Sequence, residues 1–148
     1  MPQPPLLPPI GLRLSRTAHT VSQAFERAMA EAGGSASSWQ VLLLVRTGQM
    51  GTQSKLAEAM GVSGATMTHH LNALEAQGLV RRWRDDGNRR VQQVELTADG
   101  VALFDRLREV AVRFDERLRS KLSDEETARL ADLLEKLAAG LDPSGSRA

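Results

Sequence analysis

Residues 52–78 read TQSKLAEAMGVSGATMTHHLNALEAQG, and this stretch decides the fold. Thr52 is a favourable N-cap for a short helix that Gly61 ends, because its hydroxyl can accept a hydrogen bond from a free amide of the first turn. Ser63 is likewise a favourable N-cap for a second helix, which Gly78 ends. Two short capped helices joined by a tight turn are typical of a helix-turn-helix motif.

A two-stranded ribbon is predicted directly after the second helix. Residues 79–83 and 91–96 have the character of strands, and the second alternates apolar and polar residues. Asp86-Gly87 between them is a strong signal for a hairpin turn. Residues 81–90 also carry five arginines against two aspartates, on a chain whose net charge is only +1. The ribbon has the position of a wing, and its charge suits an anionic polymer, although a solvated charged hairpin explains the charge equally well.

Amphipathic helices are predicted on both sides of this core. One covers residues 10–32, where apolar residues recur at steps of three and four. The next begins at an S-x-x-Q sequence, which predicts a capping box with Ser37 as the N-cap. Thr97 caps a long helix to about residue 122, and a further capping box opens the last helix, over residues 123–141.

The predicted fold is mainly α with a small β-wing: a winged helix-turn-helix at residues 35–97 and helical dimerisation regions at 10–34 and 98–141. We expect a flexible Pro-rich arm at residues 1–9 and a frayed tail at residues 142–148. The apolar stripes of the outer helices need cover, and a second copy of the chain can supply it. A two-fold dimer would place two recognition helices about 34 Å apart, which matches a pseudo-palindrome. A monomer with an appended helical layer is the alternative.

The composition excludes several classes of protein. The 148 residues, of which 41% are hydrophobic and 25% charged, are typical of one globular domain or of one protomer of an assembly. The sequence has no cysteine, which excludes disulfides and thiol chemistry. No apolar run approaches the about 18 residues of a membrane-spanning helix, and the Pro-rich start is unlike a signal peptide, so we expect a cytoplasmic protein. The three histidines lack H-x-x-x-H spacing, and no nucleophile motif or Gly-rich phosphate loop accompanies them. We therefore expect no metal, no cofactor and no enzymatic activity.

The chain resembles the MarR family of bacterial transcriptional regulators over about residues 10–140. The motifs SKLAEAMGVS, TMT and LEAQGLV of residues 54–80 carry the resemblance, with Asp85, NRR and VELT in the wing. It implies double-stranded DNA as the partner, a homodimeric repressor, and a site for a small phenolic or aromatic acid between the dimer helices and the winged-helix core. The family often has an arginine where His69 stands and an acid where Asn88 stands. Bracing of the wing arginine is therefore expected from a neutral hydrogen bond or from a neighbouring aspartate.

Candidate DNA-binding residues follow from the geometry of such a motif. Small residues at the start of the recognition helix permit close approach to the major groove, and His69 one turn on is expected to reach a base edge. Arg89 suits a narrow minor groove, and residues at other helix N-termini suit phosphate. Solvent exposure, helix capping and surface ion pairs are the plain structural alternatives. The full set is Ser37, Thr52, Gln53, Ser54, Lys55, Ser63, Gly64, Ala65, Thr66, Thr68, His69, His70, Asn72, Arg84, Asn88, Arg89 and Arg90.

Four further residues are candidates for the effector site that the resemblance implies. Arg13, Arg16 and His19 lie at i, i+3 and i+6 on the first helix, where they could meet an anion, and Trp39 could form a wall. Dimer salt bridges and packing are the alternative roles, and the pattern alone favours them. A winged-helix module that binds proteins and never DNA is the remaining alternative function, against which the wing arginines argue.

Overall fold

The structure, a computed structural model, describes residues 7–48 and 51–141. In these residues the chain forms six helices and one two-stranded antiparallel sheet, which confirms the predicted fold class. The elements are α1 Ile10–Glu31, α2 Ala36–Arg46, α3 Gln53–Met60, α4 Gly64–Ala76, β1 Val80–Arg84, β2 Gln92–Leu96, α5 Ala98–Arg119 and α6 Asp124–Ala139. The tail predicted at 142–148 lies outside the described residues, as does the predicted arm up to residue 6. The chain divides into two compact units within α5, one ending at Ala111 and the other beginning at Val112.

Short polar side chains cap the helices of the helix-turn-helix at the predicted positions. The hydroxyl oxygen of Thr52 accepts a hydrogen bond from the Lys55 amide at 3.4 Å, and that of Ser63 accepts one from the Thr66 amide at 3.1 Å. Gly61 ends α3 in the left-handed conformation, with φ at 66°, which glycine adopts without strain. These caps leave only the short turn Gly61–Ser63 between α3 and α4.

The predicted cap of α2 was wrong, because the N-cap residue of this helix is Ser35 and not Ser37. Ser35 Oγ accepts a hydrogen bond from the Ser38 amide at 3.0 Å, and Ser38 Oγ accepts one from the Ser35 amide at 2.7 Å. The two serines thus form a reciprocal capping box without Gln40. Ser37 lies in the first turn, where its hydroxyl is 3.2 Å from Ser35 Oγ.

The core of the N-terminal unit holds the recognition helix α4 in place. Helix α4 packs on α2, α3 and β1, and each of these elements contributes apolar side chains to one cluster. Complete burial of one large aliphatic side chain contributes about 1.5–3 kcal/mol, so the shared cluster fixes the outward face of α4. The fully buried large side chains are Met29, Val41, Leu42, Leu56, Met67, Leu71 and Leu107.

The wing consists of β1, β2 and the loop between them. Val80 pairs with Leu96 and Arg82 with Val94, so the side chains of these four residues share the core side of the sheet. The Asp85 amide donates to the Val91 carbonyl at 2.9 Å and closes a loop that contains Asp86-Gly87, the predicted turn signal. The Val94 amide also donates to the Gly51 carbonyl at 3.0 Å, which attaches the wing to the residue before the α3 cap.

The C-terminal unit contains the end of α5 and helix α6. Ser123 and Glu126 form the predicted capping box, and Arg119 pairs with Asp115 at 2.8 Å. The apolar stripe of α6 is 40–46% exposed at Leu130, Leu133, Leu134 and Leu137. Across residues 7–48 and 51–141, no helix has an apolar segment long enough to cross a bilayer.

Candidate nucleic-acid interface

The recognition helix presents one polar face to solvent. Met67 and Leu71 are fully buried, whereas Thr66 and His69 are exposed. This division follows from the helical period, because residues three and four apart lie on the same face. The structure therefore confirms which side of α4 was predicted to face outward.

The start of α4 is open enough for close approach of another molecule. A Cβ atom added at Gly64 would meet no heavy atom within 4 Å, and Ala65 beside it is exposed. Ser63 Oγ donates a hydrogen bond to Thr66 Oγ1 at 3.0 Å, and both residues are exposed at the surface. A helix N-terminus with small residues and exposed hydroxyls suits contact with the phosphates and base edges of a groove.

Two of the candidate DNA-binding residues hold α3 and α4 together. Gln53 Nε2 donates a hydrogen bond to Thr68 Oγ1 at 2.7 Å, and Thr68 Oγ1 donates to the Gly64 carbonyl at 2.9 Å. These bonds occupy the Thr68 hydroxyl, so its role here is to join the two helices. Ser54 and Lys55 remain exposed on the outer side of α3.

A small polar cleft brings the candidate Ser37 close to the candidates His69 and His70, which are distant from it in the sequence. His69 and His70, whose ring centroids are 6.2 Å apart, line it together with Ser37 and the other serines at the start of α2. The cleft has a volume of about 90 Å³. No charged side chain is among its described lining residues, which are Ser35, Ser37, Ser38, His69, His70, Ala73, Leu74 and Gln77. It therefore offers hydroxyl and imidazole groups to a ligand that approaches α4.

The five wing arginines differ in what they contact. Arg81 forms an ion pair with Glu95, and its guanidinium lies 5.6 Å from the centre of the Trp83 ring. Arg82 forms an ion pair with Glu75, whose carboxylate lies on α4. In the described part of the chain, the other three arginines form no ion pair with a carboxylate. These three, Arg84, Arg89 and Arg90, outnumber the two aspartates of the loop, Asp85 and Asp86, and leave the tip of the wing with guanidinium groups that are not ion-paired.

Bracing of the wing tip comes from an arginine and from backbone contacts. Arg84 Nη1 donates a hydrogen bond to the Arg89 carbonyl at 2.9 Å. Asn88 Oδ1 accepts one from the Arg90 amide at 3.1 Å, and Asp85 Oδ1 accepts one from the Gly87 amide at 2.9 Å. The loop is therefore held through its backbone, and the Arg89 guanidinium stays exposed.

The candidate residue Asn72 forms a hydrogen bond with Arg82, a residue that the sequence does not single out. Asn72 Oδ1 accepts a hydrogen bond from Arg82 Nη2, and the same nitrogen donates to Glu75 Oε1 at 3.2 Å. The sequence pattern presents Arg82 only as one of the five basic residues of the wing. The signal that could have found it is the alternation of β1, since position 82 falls on the same side of the strand as buried Val80.

The hydrogen bond from Arg82 lowers the pKa of Glu75, despite the opposing effect of desolvation. The ionised carboxylate therefore stabilises the fold above its ordinary pKa of 4.5, and this contribution is lost as the pH falls through the lower pKa of the folded state. We expect the melting temperature of Glu75→Gln to fall less than that of the wild type when the pH is lowered through this range. Glu58→Gln, at an exposed position on α3, is the control and should follow the wild type. Equal slopes for all three proteins would contradict the prediction.

The candidate effector residues lie on two helices of the N-terminal unit. Arg13, Arg16 and His19 are exposed on α1. Trp39 is partly buried on α2 and stacks on Phe104, with ring centroids 5.5 Å apart and ring planes 11° apart. None of the four lines the cleft beside α4. Among the described residues, no group of three His, Asp or Glu side chains could hold a metal ion.

Comparison with known proteins agrees with this architecture. The sequence model of the MarR family matches residues 35–91. A putative transcriptional regulatory protein for the hcr operon of Thauera aromatica is 30% identical over 129 residues, which cover 86% of this chain and 78% of the relative. The HTH-type transcriptional regulator PecS of Dickeya dadantii is 29% identical over 124 residues, which cover 82% of this chain and 75% of the relative.

A solved structure shows the same fold. The transcriptional repressor CouR, bound to a 23-mer DNA duplex, superimposes with a TM-score of 0.80 at 27% identity, over 88% of this chain and 92% of that one. All three relatives are named as regulators of transcription, and none is named as an enzyme. The winged helix-turn-helix and these likenesses together show that the chain belongs to the MarR family of transcriptional regulators.

Proposed function

We propose that the protein is a cytoplasmic, homodimeric repressor that binds a pseudo-palindromic site in double-stranded DNA. The observation that carries the proposal is the combination of an open recognition helix with a wing tip whose three arginines form no described ion pair. The helix would enter the major groove, where base edges carry a distinct pattern of donors and acceptors. Arg89 would enter the adjacent minor groove, where the negative potential favours a guanidinium.

A dimer would supply the second recognition helix and cover the exposed apolar stripe of α6. Four leucines of that stripe are 40–46% exposed in the single chain, and burying them would release water from apolar surface. In this proposal residues 35–97 bind DNA, and residues 10–34 and 98–141 form the dimer interface. Repression is supported by the relative CouR, which is described as a repressor bound to DNA.

The proposed effector is a small phenolic or aromatic anion. Its support is the exposed set Arg13, Arg16 and His19 on α1, which offers two cationic side chains and an imidazole without a described intramolecular partner. Trp39 contributes an aromatic surface on α2, although Phe104 already covers one face of its ring. Phenolic and aryl carboxylate compounds should raise the melting temperature and release DNA, and a library that does neither would contradict this part of the proposal.

The deciding experiment is footprinting on the DNA that flanks the protein's own gene, together with selection from a random duplex pool. A protected, symmetric site is the expected result. If the protein fails to shift random duplex DNA even at low salt, the proposal is wrong, and a protein-binding winged helix takes its place. Size measurement in solution tests the dimer separately, since a monomer would contradict the predicted symmetry of the site.

His69→Ala is expected to relax the preference for one base position in each half-site. The imidazole is exposed on the outer face of α4 one turn after the helix start, within reach of a base edge. A lost base contact costs discrimination of about 1–3 kcal/mol at that position and little at the others. Selection from random duplexes with both proteins measures this. Gln40→Ala, at an exposed position on α2 outside the candidate set, is the control, and an unchanged motif for His69→Ala would remove His69 from base recognition.

A further inference from the structure

We propose that Arg82 is a positioning residue, which fixes the wing against the recognition helix and holds the Asn72 carboxamide away from the bases. The inference rests on the proposed DNA binding and identifies how the two DNA-contacting elements keep their relative orientation. Arg82 itself is assigned no contact with DNA.

The geometry separates Arg82 from the arginine beside it. Arg82 pairs with Val94 on the core side of the sheet, and its side chain is 11% exposed. The Arg81 side chain, on the opposite side of the same strand, is 70% exposed. Two adjacent residues of equal charge thus have different surroundings, one facing α4 and the other facing solvent.

Three hydrogen bonds run from Arg82 to α4. Its Nη2 donates to Asn72 Oδ1 and, at 3.2 Å, to Glu75 Oε1, and its backbone amide donates to Glu75 Oε2 at 3.2 Å. Asn72 and Glu75 are three residues apart, so one guanidinium spans a full turn of the recognition helix. Both side-chain bonds come from Nη2, whose two hydrogens can serve the two acceptors at once.

The burial of Arg82 makes these bonds necessary. A largely buried cation is costly unless its hydrogen-bonding groups are satisfied. Its Nε is buried and has no hydrogen-bond partner among the described residues, so Nη2 and the Glu75 carboxylate carry the compensation. Loss of either α4 partner would leave a poorly compensated charge at the base of the wing, and the strand would shift to relieve it.

This arrangement bears on specificity in two ways. The recognition helix and the wing enter different grooves at the same time, so a functional site of this kind needs supporting contacts that fix their mutual geometry. Asn72 would read adenine through both its oxygen and its nitrogen, and the oxygen is directed to Arg82. Base recognition therefore falls to other side chains on the outer face, chiefly Thr66 and His69.

The first test compares Arg82→Met with Arg81→Met, two variants that remove the same charge from the same strand. The probes are the duplex that the wild type selects from a random pool and a duplex of scrambled sequence. We expect Arg82→Met to lose on the order of tenfold more affinity than Arg81→Met for the selected duplex, and about as much as Arg81→Met for the scrambled one. A general loss of folded protein would lower binding to both duplexes by the same factor.

The second test uses Glu75→Gln, for which two explanations predict opposite signs. If charge near DNA were all that mattered, removal of a carboxylate would tighten binding. If Arg82 positions the wing, Glu75→Gln weakens binding to the selected duplex, and the double variant with Arg82→Met is no weaker than Arg82→Met alone. Asn72→Ala should weaken binding as Glu75→Gln does, with the base preference unchanged.

The proposal is overturned if Glu75→Gln binds the selected duplex as tightly as the wild type or more tightly. Equal losses for Arg82→Met and Arg81→Met would overturn it as well. Should Arg82→Met prove unfolded by thermal melting, the exposed positions Asn72 and Glu75 still decide the question. Failure of the proposed function is distinguishable, since the wild type would then select no duplex at all.

Discussion

Replacement of Arg89 with alanine is expected to weaken binding to every duplex, by about tenfold or more at low salt. Arg89 lies in the wing loop, where its guanidinium is exposed and has no described intramolecular ion pair. Its backbone carbonyl accepts the Arg84 hydrogen bond, so the loop can keep its conformation when the side chain is removed. The loss should therefore fall on DNA binding and leave the melting temperature almost unchanged.

The salt dependence of binding identifies the cause. Each phosphate contact releases condensed counterions, so the slope of log K against log salt should become shallower by about 1 in Arg89→Ala. Arg46→Ala, at an exposed position at the end of α2 that is neither a candidate DNA contact nor in the proposed dimer interface, is the control for loss of charge and should keep the wild-type slope. The proposed contact between Arg89 and DNA would be contradicted if Arg89→Ala kept the wild-type slope. It would also be contradicted if binding by the wild type did not depend on salt.

The sequence predicts the helix-turn-helix well because its signals are local. Thr52 and Ser63 each bond to an amide three residues ahead, and such a contact needs no knowledge of the remaining chain. The buried face of α4 follows in the same way from the spacing of Met67 and Leu71. For this reason the positions of α3 and α4 and the outward face of α4 could be predicted.

The cap of α2 shows where local signals become ambiguous. Ser35, Ser37 and Ser38 can all cap a helix, and the S-x-x-Q pattern favoured the second of them. The preceding turn decides the choice, because the Gly34 amide returns to the Met29 carbonyl at 2.9 Å and Ser35 follows at once. An added Cβ at Gly34 would also come within 3.0 Å of both δ carbons of Leu107 on α5, a contact distant in sequence.

Contacts between distant residues account for what the sequence could not supply at the candidate site. Gln53 bonds to Thr68 across fifteen positions, and Arg82 bonds to Asn72 across ten. Both bonds depend on how separate elements pack, which no periodicity reports. Gln53 is predicted from its place at a helix N-terminus, and Thr68 and Asn72 from their place on the recognition helix. In the structure, each of the three forms a hydrogen bond with a neighbouring element or residue of the candidate site.

Gly100→Ala is expected to destabilise the N-terminal unit by about 3 kcal/mol or more and to lower the melting temperature by roughly 10 °C. A Cβ at this position in the first turn of α5 would overlap the carbonyl oxygen of Leu79. That oxygen cannot move freely, because it accepts a hydrogen bond from the Thr97 amide at 3.1 Å and directly precedes β1. To relieve the overlap, the chain must separate α5 from the base of the wing.

A second helical glycine, Gly11, provides a matched control for this prediction. Gly11 lies in the first turn of α1, but a Cβ there would meet no heavy atom within 4 Å. Gly11→Ala should therefore stabilise the protein slightly, by up to about 0.5 kcal/mol, because the higher helix propensity of alanine counts for less at a helix end than in its interior. The same chemical change thus has opposite signs at two helical sites, and thermal melting of both variants measures them. If Gly100→Ala has the same melting temperature as the wild type, the prediction is wrong, and the start of α5 can move without destabilising the protein. DNA binding by the folded fraction of Gly100→Ala shows whether the base of the wing has moved. A displaced wing would lose the Arg89 contact, whereas α4 would stay in place.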